Sequence, residues 1–326
     1  MKHHYTVTLG LGAIGLLGCC LAFATCLVLP SPAMSGPSAR EVEVNSVRLH
    51  YVEEGSGDPM IVVHGGASDL RTWEPLRERI AAKYRFIAYT QRYFGTGPWP
   101  DEGKNFSVAT HADDLAKFIT SLNAGPVHLV GWSYGGTVAT VAAVKNPSLV
   151  RSLIVYEPGL VSVLSEESVE GKAAREDRAK IFGPAIAAAK AGDAIQAAKL
   201  LREGVMQLGP GGFDREPQAT QTRVLDNART VPLAFAAPPS PAITCDMLKN
   251  FARPTLVMRG DKTQPYFALI SDAISKCVPA ARLDVLKNVH HGGPHQDPAA
   301  FTAAVFEFLS QRAFLIAPAM SPGAQQ

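Results

Sequence analysis

From Glu41 onward, apolar and polar residues fall into a regular succession of patterns. EVEVNSVRLHYVEEG alternates with period two and breaks at Asn45-Ser46, which predicts an antiparallel hairpin. Four short, almost wholly apolar runs follow: MIVVHGG, RFIAY, VHLVGW and RSLIVYEP. The segments between them, TWEPLRERIAAKY, SVATHADDLAKFITSL and TVATVAAVKNP, carry helical spacing. Strands without a polar face must be covered on both sides, so the pattern predicts α/β architecture: a mostly parallel sheet between helices, with an antiparallel start. After Glu157-Pro158 the alternation stops. The stretch from Gly159 to about Ile243 is alanine-rich, charged and helical, broken at GPGGFDREP and APPSP. PTLVMRGD then restores a buried strand, followed by a helix through ISDAISKC, strand ARLDVLKN and a closing helix FTAAVFEFLSQ. The expected organisation is a core over 41–158 and 244–312, a helical cap over 159–243 inserted after the sixth strand, and a loose tail over 313–326.

The amino terminus reads differently. Lys2 precedes an uncharged apolar stretch from Tyr5 to Leu29, and a Pro/Ser/Ala segment follows, as in an export signal over residues 1–33. This predicts a periplasmic or extracellular protein. The alternatives are an uncleaved membrane anchor, for which roughly 20 apolar residues suffice, and a lipid on Cys19; the membrane would be met through this segment alone. Cys19, Cys20 and Cys26 lie in the leader, which leaves Cys245 and Cys277 either to pair in an oxidising compartment or to stay free. Lys plus Arg is 31 against 29 for Asp plus Glu, with no basic block, so a nucleic-acid partner is not expected. A small-molecule substrate is, and no cofactor or metal motif is present.

Chemistry enters at GWSYGG. Gly131 and Gly135 stand two residues to either side of Ser133, between a strand and a helix. A tight strand-to-helix turn needs small neighbours where backbones pass, and it lifts its middle residue clear of the sheet. Ser133 therefore reads as a nucleophile rather than a helix cap. Attack by a serine on a carbonyl makes an oxyanion that needs two preorganised N–H donors. The backbone of Tyr134, next to the nucleophile, offers one, and that of Gly66, in the His64-Gly65-Gly66 turn, offers the other.

With these motifs in order, the chain resembles the α/β-hydrolase fold superfamily from Glu41 to about Gln311. HGG, QRYFGTG, GWSYGG, the insertion after YEP, PTLVMRGD and VHHGGPHQDPAAF carry the resemblance. It implies a general base among His290, His291 and His295; His291, seven residues before Pro298, matches the family spacing. The acid departs from the common pattern, because Thr263 stands where relatives carry it. Glu157, at the end of the sixth strand, and Asp261, after the seventh, are the two candidates, with Glu157 preferred. The loop around Arg92 lacks the family's aspartate, and Arg92 is expected to be structural there. Trp132, Tyr93, Phe94 and Trp99 are candidate substrate contacts. The resemblance implies a serine hydrolase acting on an ester or similarly activated carbonyl through an acyl-enzyme. Carbon–carbon cleavage, lactone opening, acyl transfer or perhydrolysis on the same residues is the alternative, and a nonenzymatic binding member of the fold is a further one.

Overall fold

The hairpin forms where the alternation breaks. Strands β1 (Ser38–Val44) and β2 (Val47–Glu54) pair antiparallel across Asn45 and Ser46. Both turn residues have positive φ, 47° and 59°, the two-residue turn whose twist matches that of the strands it joins. The computed structural model describes residues 38–279 and 281–316, together with Met1 and His4. The segment expected to direct export, with Cys19, Cys20 and Cys26, lies outside the described residues apart from those two.

Beyond the hairpin come β3 (Pro59–Val63), α1 (Glu74–Ala81), β4 (Arg85–Tyr89), α2 (Val108–Ser121), β5 (Val127–Trp132), α3 (Tyr134–Lys145) and β6 (Val150–Tyr156). Helices α4 (Val169–Lys190), α5 (Ala194–Met206), α6 (Gln218–Asp226) and α7 (Thr230–Ala236) follow without a strand. The chain closes with α8 (Cys245–Lys249), β7 (Thr255–Gly260), α9 (Pro265–Cys277), β8 (Ala281–Leu286), α10 (Gly293–Gln296) and α11 (Pro298–Ile316). Helix α11 thus runs past residue 312, where a loose tail was expected to begin, and residues 317–326 lie outside the described ones.

The sheet order is β1-β2-β4-β3-β5-β6-β7-β8. β2 pairs antiparallel with β4, and every pair from β4 to β8 is parallel. Successive residues of a strand face opposite layers, which is why the central strands contain no polar face. Ile61, Val63 and Leu129 pack with Leu115, Val138 and Phe267. Met60, Val62 and Val130 pack with Leu76, Phe301 and Phe308 on the other side. Each such side chain contributes about 1.5–3 kcal/mol of burial. Because β3 pairs with β4 on one side and β5 on the other, the strand order reverses there. The carboxyl ends of β3 and β5 flank a crevice at that point, where open α/β sheets hold ligands.

Helices α4 to α7 build a layer beside those ends. Buried Ala197 and Ala198 of α5 let α5 approach Phe213, Val224 and Val231, and the cluster closes on Ala67, just after the glycine turn of β3. A disulfide joins Cys245 of α8 to Cys277 at the end of α9, with Cα atoms 5.1 Å apart. It settles which of the two open readings of these cysteines holds.

Candidate active site

Ser133 ends β5 and opens α3 with φ 55° and ψ −121°, a backbone conformation that non-glycine residues rarely hold. Its N–H still donates to Tyr156 O at 2.9 Å, so the turn is anchored in the sheet. The flanking glycines are sterically required. A Cβ on Gly135 would lie 2.3 Å from the carbonyl oxygens of both His64 and Val63, and one on Gly131 would lie 2.6 Å from Gly135 O. Those same contacts bring the glycine turn after β3 against the serine: a Cβ on Gly65 would be 3.4 Å from Ser133 Cβ. The N–H groups of Gly66 and Tyr134 carry no hydrogen bond among the described residues.

His291 follows β8 and is 1% exposed; Glu157 follows β6 and is fully buried. His291 Nδ1 is 2.7 Å from Glu157 Oε2. The carboxylate also accepts the Gly260 N–H on Oε1 and the Thr263 hydroxyl on Oε2, both at 2.8 Å. With three donors converging, burial of the acid is compensated, and Nδ1 carries the proton that points at it. The imidazole lines the cavity that Ser133 also lines. The Phe267 ring stacks on the imidazole at 3.8 Å, and Trp132 Nε1 donates to the backbone O of His291 at 2.9 Å, so ring and backbone are each held. Ser133 and His291 line one cavity of about 40 Å³ with Gly65, Gly66, Ser68 and Trp132. Among the described residues no hydrogen bond joins the serine hydroxyl to the imidazole; such bonds often tighten only around substrate.

Asp261 is not part of this cluster. It is exposed, and only its N–H is anchored, on Leu286 O at 2.9 Å, because the chain turns outward after Gly260. His290 is tied to Gln296, whose Nε2 is 2.5 Å from its own Nε2. His295 sits edge-on to Trp132 with Nε2 2.7 Å from Thr72 O, and burial lowers its pKa to about 4. Buried His64 is likewise held neutral, its pKa lowered by burial to about 4; it accepts the Gln91 N–H at 3.0 Å and braces the loop. Arg92 makes a paired contact with Asp114, at 2.7 and 2.6 Å.

A second cavity, of about 220 Å³, adjoins the first at Ser133, Gly66, Leu201 and Val205. Phe94, Phe106, Tyr134, Phe182 and Phe267 make it apolar. Of the proposed substrate contacts, Trp132 lines the small cavity and Phe94 the large one. Tyr93 and Trp99 line neither. They face a separate open groove, where the Tyr93 hydroxyl donates to Asp101 at 2.9 Å, and Trp99 donates to Tyr93 O at 2.6 Å under the Arg229 guanidinium. Their aromatic surface is spent on each other and on Phe106.

Residues that the sequence did not single out complete the site. His111 Nδ1 accepts the Tyr134 hydroxyl at 2.7 Å while Nε2 donates to Arg92 O, and burial lowers its pKa to about 3. It aims the Tyr134 ring from beneath. Arg202 and Arg223, from the cap helices, enter the small cavity. Nothing in a lone arginine of an alanine-rich helix announces this. Among the described residues no group of three or more His, Cys, Asp or Glu side chains comes together as a metal site.

A family model described as "Alpha/beta hydrolase family" matches residues 60–305. A 2-(acetamidomethylene)succinate hydrolase of Mesorhizobium japonicum is similar at 25% identity over 284 residues, 83% of this chain and 95% of that protein. Among solved structures, an esterase from a Rhodococcus species superposes with a TM-score of 0.68 at 23% identity, covering 84% of this chain and 98% of that one. An enol-lactonase from Burkholderia xenovorans gives 0.64 at 18% identity, covering 83% and 100%. At these identities the structural likeness speaks for the fold alone.

Proposed function

The chain belongs to the α/β-hydrolase family, and from that premise we propose that it is a serine hydrolase cleaving an ester or similarly activated carbonyl through an acyl-enzyme. The observation that carries this reading is the buried contact between His291 Nδ1 and Glu157 Oε2, at 2.7 Å, behind a cavity that His291 shares with Ser133. His291 Nε2 takes the proton of the Ser133 hydroxyl as Oγ attacks the carbonyl carbon. The oxyanion forms against the N–H groups of Gly66 and Tyr134, each worth about 3 kcal/mol of transition-state stabilisation. The imidazolium, steadied by Glu157, then protonates the leaving group. Water repeats the sequence in reverse to release the acid and restore Ser133. The similar hydrolase from Mesorhizobium is named for a substrate that is not an ester, which supports keeping other activated carbonyls within the class. We infer as well that the protein works in an oxidising compartment, a reading supported by the Cys245–Cys277 disulfide.

Incubation with a fluorophosphonate probe and a panel of p-nitrophenyl esters and lactones tests the reading. Wild type should label once and turn over, and Ser133→Ala should lose labelling and about four to six orders of magnitude of turnover. Wild-type protein that neither labels nor hydrolyses any member of the panel would overturn it.

A further inference from the structure

We infer that the small cavity is a carboxylate-binding subsite, and that the enzyme selects substrates bearing a free carboxylate a short distance from the scissile carbonyl, with Arg223 as the selecting residue. The inference rests on the serine-hydrolase reading above and deepens it.

Arg223, on α6, is only 7% exposed, and its Nε is buried with no hydrogen-bond partner among the described residues. Its nearest acids are already engaged. Asp69 receives Arg71 Nε and a terminal nitrogen of the same guanidinium at 2.9 and 2.7 Å, and Asn227 at 2.7 Å. Glu216 receives Arg202 in the same paired fashion, at 2.9 and 2.8 Å. A buried cation with no directly hydrogen-bonded acid destabilises a protein unless a further acceptor meets it. Burial, helped by the like charges of Arg202 and Arg71 and opposed by those of Asp69 and Glu216, pulls its pKa down to about 10, which still leaves it charged at neutral pH.

The cavity it lines is cationic, and Ser133 opens onto it. Its residues include Arg202, Arg223 and His291 but no carboxylate. The Ser68 hydroxyl, also on its wall, is buried and unpartnered too, so a second free donor lines the same cavity. A planar guanidinium fork matches two carboxylate oxygens in geometry as well as charge. Ser133 lies on the same wall, so the link from carboxylate to reacting carbonyl is short; the apolar cavity beyond Ser133 takes the rest of the substrate.

The test compares kcat/KM for p-nitrophenyl hydrogen glutarate with that for its neutral methyl ester. Wild type should prefer the anionic ester at least tenfold. Arg223→Gln should bring the ratio close to one, a loss of roughly ten- to hundredfold as expected for a hydrogen bond to a charged group, and Arg223→Lys should keep part of it. A wild-type ratio near one, an equal loss on both esters in Arg223→Gln, or a stronger preference for a phosphonate analogue overturns the inference. Should Arg223→Gln fail to fold, wild-type protein suffices: glutarate should protect Ser133 from a neutral fluorophosphonate and dimethyl glutarate should not, and equal effects overturn it. Labelling of Ser133 without anion preference removes the subsite and leaves the serine hydrolase standing. Absence of both labelling and turnover removes the underlying reading itself.

Discussion

The floor of the site and its roof are built by opposite means. Every floor residue sits on a strand's carboxyl end: Gly66 after β3, Ser133 after β5, Glu157 after β6 and His291 after β8. Their positions follow from backbone: Ser133, Glu157 and Ala67 are held at φ of 55°, 46° and 46°, and the polar atoms of Glu157 are fully engaged. The roof consists of alanine-rich helices that reach the site through long side chains, some paired across the cap, as Arg202 with Glu216, and one, Arg223, unpaired. The difference teaches where each property is stored. On the proposed reading, reactivity lies in strained turns that tolerate almost no substitution, and selectivity lies in side chains that can change without disturbing the sheet.

The comparison can be broken most decisively at Glu157. Glu157→Gln should lower kcat by about three to four orders of magnitude, and Asp261→Asn should stay within a few-fold. The reverse pattern in steady-state kinetics would move the acid to the loop after β7. Next in size is the disulfide that stitches α8, where the chain returns from the cap, to α9. Its partners are 32 residues apart, so reduction should lower unfolding free energy by roughly 3–4 kcal/mol in a chain-entropy account; urea midpoints with and without reductant read this directly. Gly135→Ala, which forces a methyl against two carbonyl oxygens of the β3 turn, should cost about 1–3 kcal/mol or more by overpacking, visible as a lower melting temperature. The smallest effect belongs to the roof. Phe182→Ala, opening the apolar cavity, should shift the ratio of long- to short-chain ester kcat/KM by about tenfold at most. A collapse of all turnover there would show that cap and floor are not separable.

Much of the floor is legible in sequence because its constraints are local. Period-two alternation marks the hairpin, runs such as MIVV mark strands with two covered faces, and Gly131 and Gly135 mark a turn into which no side chain fits. The choice between Glu157 and Asp261 is not local. It depends on Gly260 and Thr263 turning their donors toward Glu157 across more than 100 positions of chain, a relation no spacing records. Tyr93 and Trp99 mislead for the same reason: their position in the loop after β4 suggests the pocket, while the Tyr93 hydroxyl's bond to Asp101 and the Trp99 indole's bond to Tyr93 O hold them away. Arg223 is the extreme case, since it comes near Asp69 and Glu216 only through the fold and finds both already paired, with Arg71 and Arg202.

Glu157 immediately precedes Pro158 and Gly159, where the cap insertion departs, and Thr263 lies just past the strand to which the chain returns. The insertion is therefore bracketed by two residues that share one hydrogen bond. For anyone recombining this protein with relatives, the usable crossover points lie inside that bracket, downstream of Gly159 and upstream of β7. A foreign cap grafted there leaves Ser133, His291 and Glu157 in their present setting, whereas a splice even a few residues wider exchanges Glu157 along with the cap.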